Sequence, residues 1–249
     1  MIREQNMQIT DAPNMAYDAV LTAGNFKPIL FSTPMVQAIL RGEKTQTRRI
    51  INPQPIEDLE SGYVFDGKHK SIYKNDSTHE DWRIQFISDW CKYKIGNILW
   101  VRETWQHTKC LNINFEDENY GFVYKADGQP WEDYEQWTWK PSIFMPKEAC
   151  RLFLKLTNIR IERLNDISES DAVAEGIERW TEERMKSNPT HYKVYFQNCK
   201  PEDLMSYTSC PIDSYETLWQ KINGEKSWAE NSFVWVYEFE RTDASFACS

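Results

Sequence analysis

The stretch "RLFLKLTNIRIERL" (151–164) constrains the fold of this chain more than any other. Leu152, Leu154 and Leu156 alternate with polar residues, and Ile159 and Ile161 resume the alternation after a shift at Thr157–Asn158. A period of two marks a strand with one buried face, and a shift of phase inside it predicts a turn or a bulge. "SFVWVYEFE" (232–240) reads as a final alternating strand. Shorter strand candidates lie in "FKPILF", "KTQTRRII", "YKIGNILWVRETW" and "GFVYKA". The helices between them are short, and no regular strand–helix–strand alternation appears. The expected class is therefore α+β, a mixed, barrel-like β sheet with peripheral short helices and loop insertions.

Three helices carry their own punctuation. "STPMVQAILRG" offers Thr33 as N-cap, Pro34 at the first helical position and Gly42 for the left-handed position after the end. "NDISESDAVAEGI" offers Ser168 as cap, Asp171 three residues on, and Gly176 as the stop. "SYETLWQKING" ends at Gly224. Residues 1–25 lack periodicity and read as a mobile leader, with a single domain expected over 26–249. Within it the segments at about 58–92, 107–136 and 179–213 read as insertions.

The charge of "RGEKTQTRRI" (41–50) stands out against a chain of net charge −9. Arg41, Lys44, Arg48 and Arg49 surround two threonines and a lone acid, Glu43. The acidic total argues against broad wrapping of nucleic acid, which needs a protein-wide positive field. A nucleoside, a nucleotide or a short single strand in a local pocket remains compatible, and the load of 11 Trp, 12 Tyr and 12 Phe supplies rings for packing or stacking. The six cysteines have no C-x-x-C spacing, so free thiols in a reducing compartment are expected rather than a metal cage or disulfide scaffold. No apolar run of about 18 residues and no signal-peptide core occurs, which predicts a cytoplasmic protein without membrane contact. A Walker loop, a dinucleotide fingerprint and an H-E-x-x-H motif are all lacking, so neither cofactor nor metal is expected.

Three constellations carry chemistry. In the helix–turn–strand corner, Lys44 lies at an exposed turn and Thr47 on the following strand. Arg48 and Arg49 would push the lysine towards its neutral form by like-charge repulsion, and a threonine needs such a base to act as a nucleophile. The same residues also fit a solvated turn followed by a charged edge strand. Glu175 precedes Gly176 at the end of a helix, where the dipole opposes a carboxylate, so in a pocket it becomes a candidate general acid. In "LWVRETW", Trp100, Arg102, Glu103 and Trp105 fit a base-recognition wall of rings and a guanidinium fork, or equally a core strand with a cross-strand ion pair.

These residues carry a resemblance. "GEKTQTRR" after a helix resembles the signature corner of the ASCH domain, a PUA-like small β barrel associated with RNA and nucleotide binding. "LWVRETW", "WKPSIFMP", "RIERLNDISESDAVAEGI" and "INGEKSWAENSFVWVYEF" are similar to ASCH-domain proteins of bacteriophages and prophages. The resemblance implies a PUA-like barrel and, if phage-encoded, a place in the host bacterial cytoplasm. A short bacterial relative is an amidohydrolase that removes the acetyl group from the exocyclic amine of acetylated cytidine. It uses a Lys, a Thr three residues later and a distant Glu, which fall here on Lys44, Thr47 and Glu175. Arg48, Arg49, Trp100, Arg102, Glu103 and Trp105 are then the substrate-binding candidates. Phage relatives carry His where this chain has Phe144, which implies an altered pocket. Three readings stand at this point: an amidohydrolase of N-acylated cytidine, a non-catalytic binder of RNA or modified DNA, and a phage accessory protein acting through a protein partner of unknown identity.

Overall fold

The long alternating segment forms the central strand of the molecule. The computed structural model describes residues 26–58, 60, 63–67, 72–74, 82–107, 121–128, 138–179, 191–196 and 206–242. In chain order these hold β1 (Phe26–Leu30), α1 (Thr33–Leu40), β2 (Gln46–Ile50), β3 (Ile56–Asp58), β4 (Tyr63–Phe65), β5 (Ile72–Lys74), α2 (Trp82–Trp90), β6 (Ile98–Arg102), β7 (Trp105–His107) and β8 (Phe122–Tyr124). They continue with β9 (Phe153–Arg163), α3 (Glu169–Ala174), β10 (Tyr192–Lys193), β11 (Tyr207–Thr208), α4 (Pro211–Asn223) and β12 (Phe233–Thr242). The main sheet runs β1-β6-β9-β12-β2. Only β1 and β6 pair in parallel; the other three pairings are antiparallel. The class is α+β and sheet-dominated. The sheet is open, with β1 and β2 at its edges, and among the described residues no closed barrel is found.

The phase shift in β9 is a bulge. Asn158 pairs with Glu238 and Leu156 with Phe239, so Thr157 is the extra residue and the strand continues through it. That keeps Leu154, Leu156, Ile159 and Ile161 on one core face despite the odd spacing. On β12, Phe233, Trp235, Tyr237 and Phe239 join the same core, whereas Val234 and Val236 face a second core with Tyr215 and Trp219 of α4. The sheet is thus covered on both faces. A fully buried Leu or Phe gains about 2–3 kcal/mol over exposure, so this pair of strands dominates the packing.

One expectation needs correction. The cap position of α1 is Ser32 rather than Thr33, and Ser32 makes no side-chain cap bond; Pro34 sits in the first turn and Gly42 adopts φ +74°, as the punctuation predicts. Within the segment expected as an insertion at 58–92, α2 places Trp82 and Phe86, one turn apart, in the main core. Trp82 meets Phe233 edge-on at 5.5 Å between ring centres. Residues 1–25 lie outside the described residues, as do much of 107–136 and 179–213.

Candidate active site

The corner after α1 is folded back by its own backbone. Gly42 reverses the chain, and the N–H groups of Glu43 and Lys44 both donate to the Ala38 carbonyl, at 2.9 and 3.2 Å. The next residues then meet the end of α3, which is capped as the sequence predicts: Ser168 Oγ accepts the Asp171 N–H at 3.1 Å. Lys44 and Glu175 form an antiparallel bridge, and the Thr45 N–H donates to the Ala174 carbonyl at 2.9 Å. Gly176, at φ +80°, is required twice over. A Cβ there would lie 2.7 Å from Lys44 Cβ and 2.9 Å from Ala38 Cβ. Glycine lets the two segments touch.

The contact buries Lys44, which is 2% exposed; the expectation of an exposed turn is therefore wrong. Its Nζ donates to the Glu175 carbonyl at 2.7 Å and to Glu175 Oε2 at 3.0 Å. Burial pushes its ammonium below the ordinary lysine value; Glu175 opposes this, while Arg49 and Arg48 add to it. Glu175, 4% exposed, accepts at its other oxygen from Arg48 Nη1 at 3.2 Å. Arg48 Nη2 in turn donates to Glu162 and Asp171, both at 2.9 Å. Burial works against the Arg48 charge, but Glu175 and its other partners outweigh it and hold the guanidinium above its ordinary value. Arg160 closes the network, donating to Glu162 at 2.6 Å and Asp171 at 3.1 Å and pairing with Glu238.

A partly open cleft with about 550 Å³ of empty space, mouth included, lies against this network. Lys44, Thr47, Arg48, Arg49 and Glu175 all line it. Five of the nine site residues expected from the sequence therefore share one cleft. Among the described residues the Lys44 ammonium hydrogen-bonds Glu175 and not Thr47, so in this state Lys44 and Glu175 form the proton-holding pair and Thr47 stands beside it. Arg49 donates to the Leu30 carbonyl at 2.7 Å, with its guanidinium 5.5 Å from the centre of the Phe31 ring. A buried amine lowered from its usual value, a carboxylate touching two cations and a hydroxyl at a cleft wall are the parts of acid–base and nucleophilic chemistry.

The chain matches no family model, no curated protein and no solved structure. The site must be judged on its own geometry.

The other four expected residues, Trp100, Arg102, Glu103 and Trp105, do not line the cleft. The reason is topological, since β9 and β12 stand between β6 and β2. Arg102 donates to the Met145 carbonyl at 3.1 Å and to the Ile143 carbonyl, with its guanidinium 5.3 Å from the centre of the Trp100 ring. Glu103 is buried and paired with Arg151 through two hydrogen bonds, at 2.9 and 3.0 Å. Trp105 is buried, its backbone bridged to Lys140 and its ring edge-on to Phe122. Phe144, 69% exposed, is likewise no part of the cleft wall. Sequence reasoning missed the opposite wall, where Tyr215, Leu218, Trp219 and Ile222 of α4 complete the cleft. The signal was there, because Tyr215 and Trp219 are one turn apart on a helix that had been read only as structure. Burial, with Glu175 adding, raises the Tyr215 hydroxyl well above its ordinary value, so it stays neutral. No group of three or more His, Cys, Asp or Glu arranged to hold a metal occurs among the described residues, nor does any helix long and apolar enough to cross a membrane.

Proposed function

We propose that this chain is a PUA-like, ASCH-type amidohydrolase acting on an N-acylated cytidine-type nucleoside in the host cytoplasm, with the open five-stranded sheet as the core of its barrel. The observation that supports the reading is the meeting of Lys44 and Glu175, 131 positions apart, at 3.0 Å in a cleft that Thr47 also lines. The residues divide the work as follows. Lys44, when neutral, takes the proton of the Thr47 hydroxyl or of a water as that oxygen adds to the acyl carbonyl. The carbon–nitrogen bond then breaks, and the proton passes through Glu175 to the leaving exocyclic amine. Where Thr47 is the nucleophile, a water completes the cycle by releasing the acyl group as a carboxylic acid. Arg49 orients the ligand; Arg102 has no part, since it lies away from the cleft.

The test is turnover of N4-acetylcytidine by wild type and by Thr47→Val, which keeps the β-branched shape and removes the hydroxyl. Wild type should release cytidine and acetate, and the variant should fall by about 100-fold to 10,000-fold at an unchanged melting temperature. An inert wild type defeats the hydrolase and leaves the binder. Equal rates would instead make water the nucleophile and remove Thr47 from the chemistry.

A further inference from the structure

Two buried N–H groups at the cleft have no acceptor among the described residues. Arg48 Nε and Trp219 Nε1 are enclosed and make no hydrogen bond among the described residues, and both residues line the cleft. Trp82 and Trp105 also carry indole N–H groups without a hydrogen bond among the described residues, but neither residue lines this cleft. A buried donor left without an acceptor is unfavourable, and unpartnered donors gathered at a cavity mark where a ligand supplies the acceptor.

The surrounding charge says which kind of acceptor. Arg48 already carries three carboxylates, Glu175, Glu162 and Asp171, and Arg160 shares the last two and adds Glu238. Three cations, Lys44, Arg48 and Arg160, thus face four carboxylates, and Arg49 on the cleft wall brings the count level. A further anion placed at Arg48 Nε, beside three carboxylates already held by that guanidinium, would tip a balanced network to net negative charge, whereas a neutral carbonyl adds no charge. Met35, Ile50, Leu218 and Ile222 give the cleft an apolar side, next to the polar side chains of Arg49 and Asn223.

We infer that the cleft selects neutral ligands whose carbonyl oxygens are taken by Arg48 Nε–H and Trp219 Nε1–H, and that it discriminates against carboxylated ones. The inference rests on the same cleft being the ligand site, and it holds whether the ligand is hydrolysed or only bound. Trp219 is then a specificity-determining residue.

The experiment follows the indole N–H signals of the full-length protein, labelled with ¹⁵N-tryptophan, during titration with N4-acetylcytidine or orotate, a pyrimidine carboxylate. Thr47→Val serves as background if wild type consumes the first. The Trp219 signal is assigned through its contact with the Tyr215 ring, 6.1 Å away between centres. It should move downfield with N4-acetylcytidine. Trp219→Phe should weaken binding about tenfold, and orotate should bind at least tenfold more weakly than the neutral ligand. The wild-type signal needs no variant, so a poorly folded Trp219→Phe leaves the test intact. A Trp219 signal unmoved at saturation, no binding of N4-acetylcytidine at millimolar concentration, or tighter binding of orotate would each overturn the inference. Binding through Trp219 without turnover defeats the hydrolase and keeps this inference. Turnover with a silent Trp219 does the reverse.

Discussion

Two buried glutamates in this molecule have opposite surroundings. Glu103 is closed off: Arg151 grips both of its oxygens, Asp127 holds the far side of the guanidinium at 2.7 Å, and the Tyr124 ring centre lies 3.9 Å from it. Glu175 is shared between two cations of different kinds, Lys44 and Arg48, and one wall of its surroundings is a cleft. In the first, a fork meets a carboxylate with good geometry and nothing is left over, so the pair fastens β6 to the segment entering β9. In the second, a lysine replaces the fork, and lysine is the cation that burial can push towards neutrality. Burial of a Glu with a basic partner therefore does not identify a site. What identifies it is a partner able to give up its proton beside an accessible space.

The comparison breaks or sharpens most strongly on a matched pair of variants. Lys44→Met and Arg151→Met each remove one partner of a buried pair, which costs about 3 kcal/mol, the lower end of the usual range, because Glu175 retains Arg48 and Arg151 is part-exposed. On the proposed hydrolysis of N4-acetylcytidine their effects should differ completely. Lys44→Met should lose at least about 100-fold, while Arg151→Met should turn over as wild type per folded molecule. Urea unfolding measures the first quantity and initial rates the second. A large rate loss in Arg151→Met would mean that the closed pair also serves the cleft.

The pH dependence of the two clusters should run in opposite directions. Burial lowers Lys44 from 10.5, so between its folded value and 10.5 the unfolded chain binds more protons and stability rises with pH. Burial raises Glu103 from 4.5, with Arg151 opposing, so above 4.5 the folded state binds more protons and stability falls as pH rises through the raised value. Stability measured as wild type minus Lys44→Met should therefore climb towards pH 10.5. Wild type minus Glu103→Gln should decline from pH 4.5 upward. Slopes of one sign would erase the distinction between the clusters.

How much of this was legible in the sequence follows from which contacts are local. The phase shift at Thr157–Asn158, the Ser168 cap, and the glycine stops at Gly42 and Gly176 depend on neighbouring residues, and all appear where the pattern placed them. The order β1-β6-β9-β12-β2 does not, because it is set by packing two faces of one sheet at once. The burial of Lys44 was invisible for the same reason: beside Gly42 it looks like a turn, and what covers it arrives with α3, 131 positions away. Glu175 was found through its conflict with the helix dipole. Trp219 was overlooked because an aromatic on an amphipathic helix is ordinarily core, and only the unpartnered N–H at a cleft wall distinguishes it. The Arg–Glu adjacency in "LWVRETW" misled in the opposite way. Neighbours on a strand point to opposite faces, so Arg102 and Glu103 had to find separate partners.

The smallest expected effect concerns the charge run from which the site was first suspected. Its four cations divide by depth: Lys44 and Arg48 are buried, Arg49 lines the cleft half-buried, and Arg41 is out in solvent. Arg41 pairs with Glu43 at 2.8 Å, but the two side chains are 50% and 40% exposed. Water screens such a pair, and holding both side chains in one geometry uses up part of what attraction remains. Glu43→Gln should therefore change stability by less than about 0.5 kcal/mol, a difference that shrinks further in high salt, and should leave hydrolysis and N4-acetylcytidine affinity unchanged. The Glu43 carboxylate is the acid closest in sequence to Lys44, so sequence proximity alone would name it the partner of the lysine. The structure gives that place to Glu175. A Glu43→Gln protein that lost turnover while keeping its melting temperature would show that the exposed turn reaches into the cleft during the reaction, and the division of the run into buried and solvated halves would then fail.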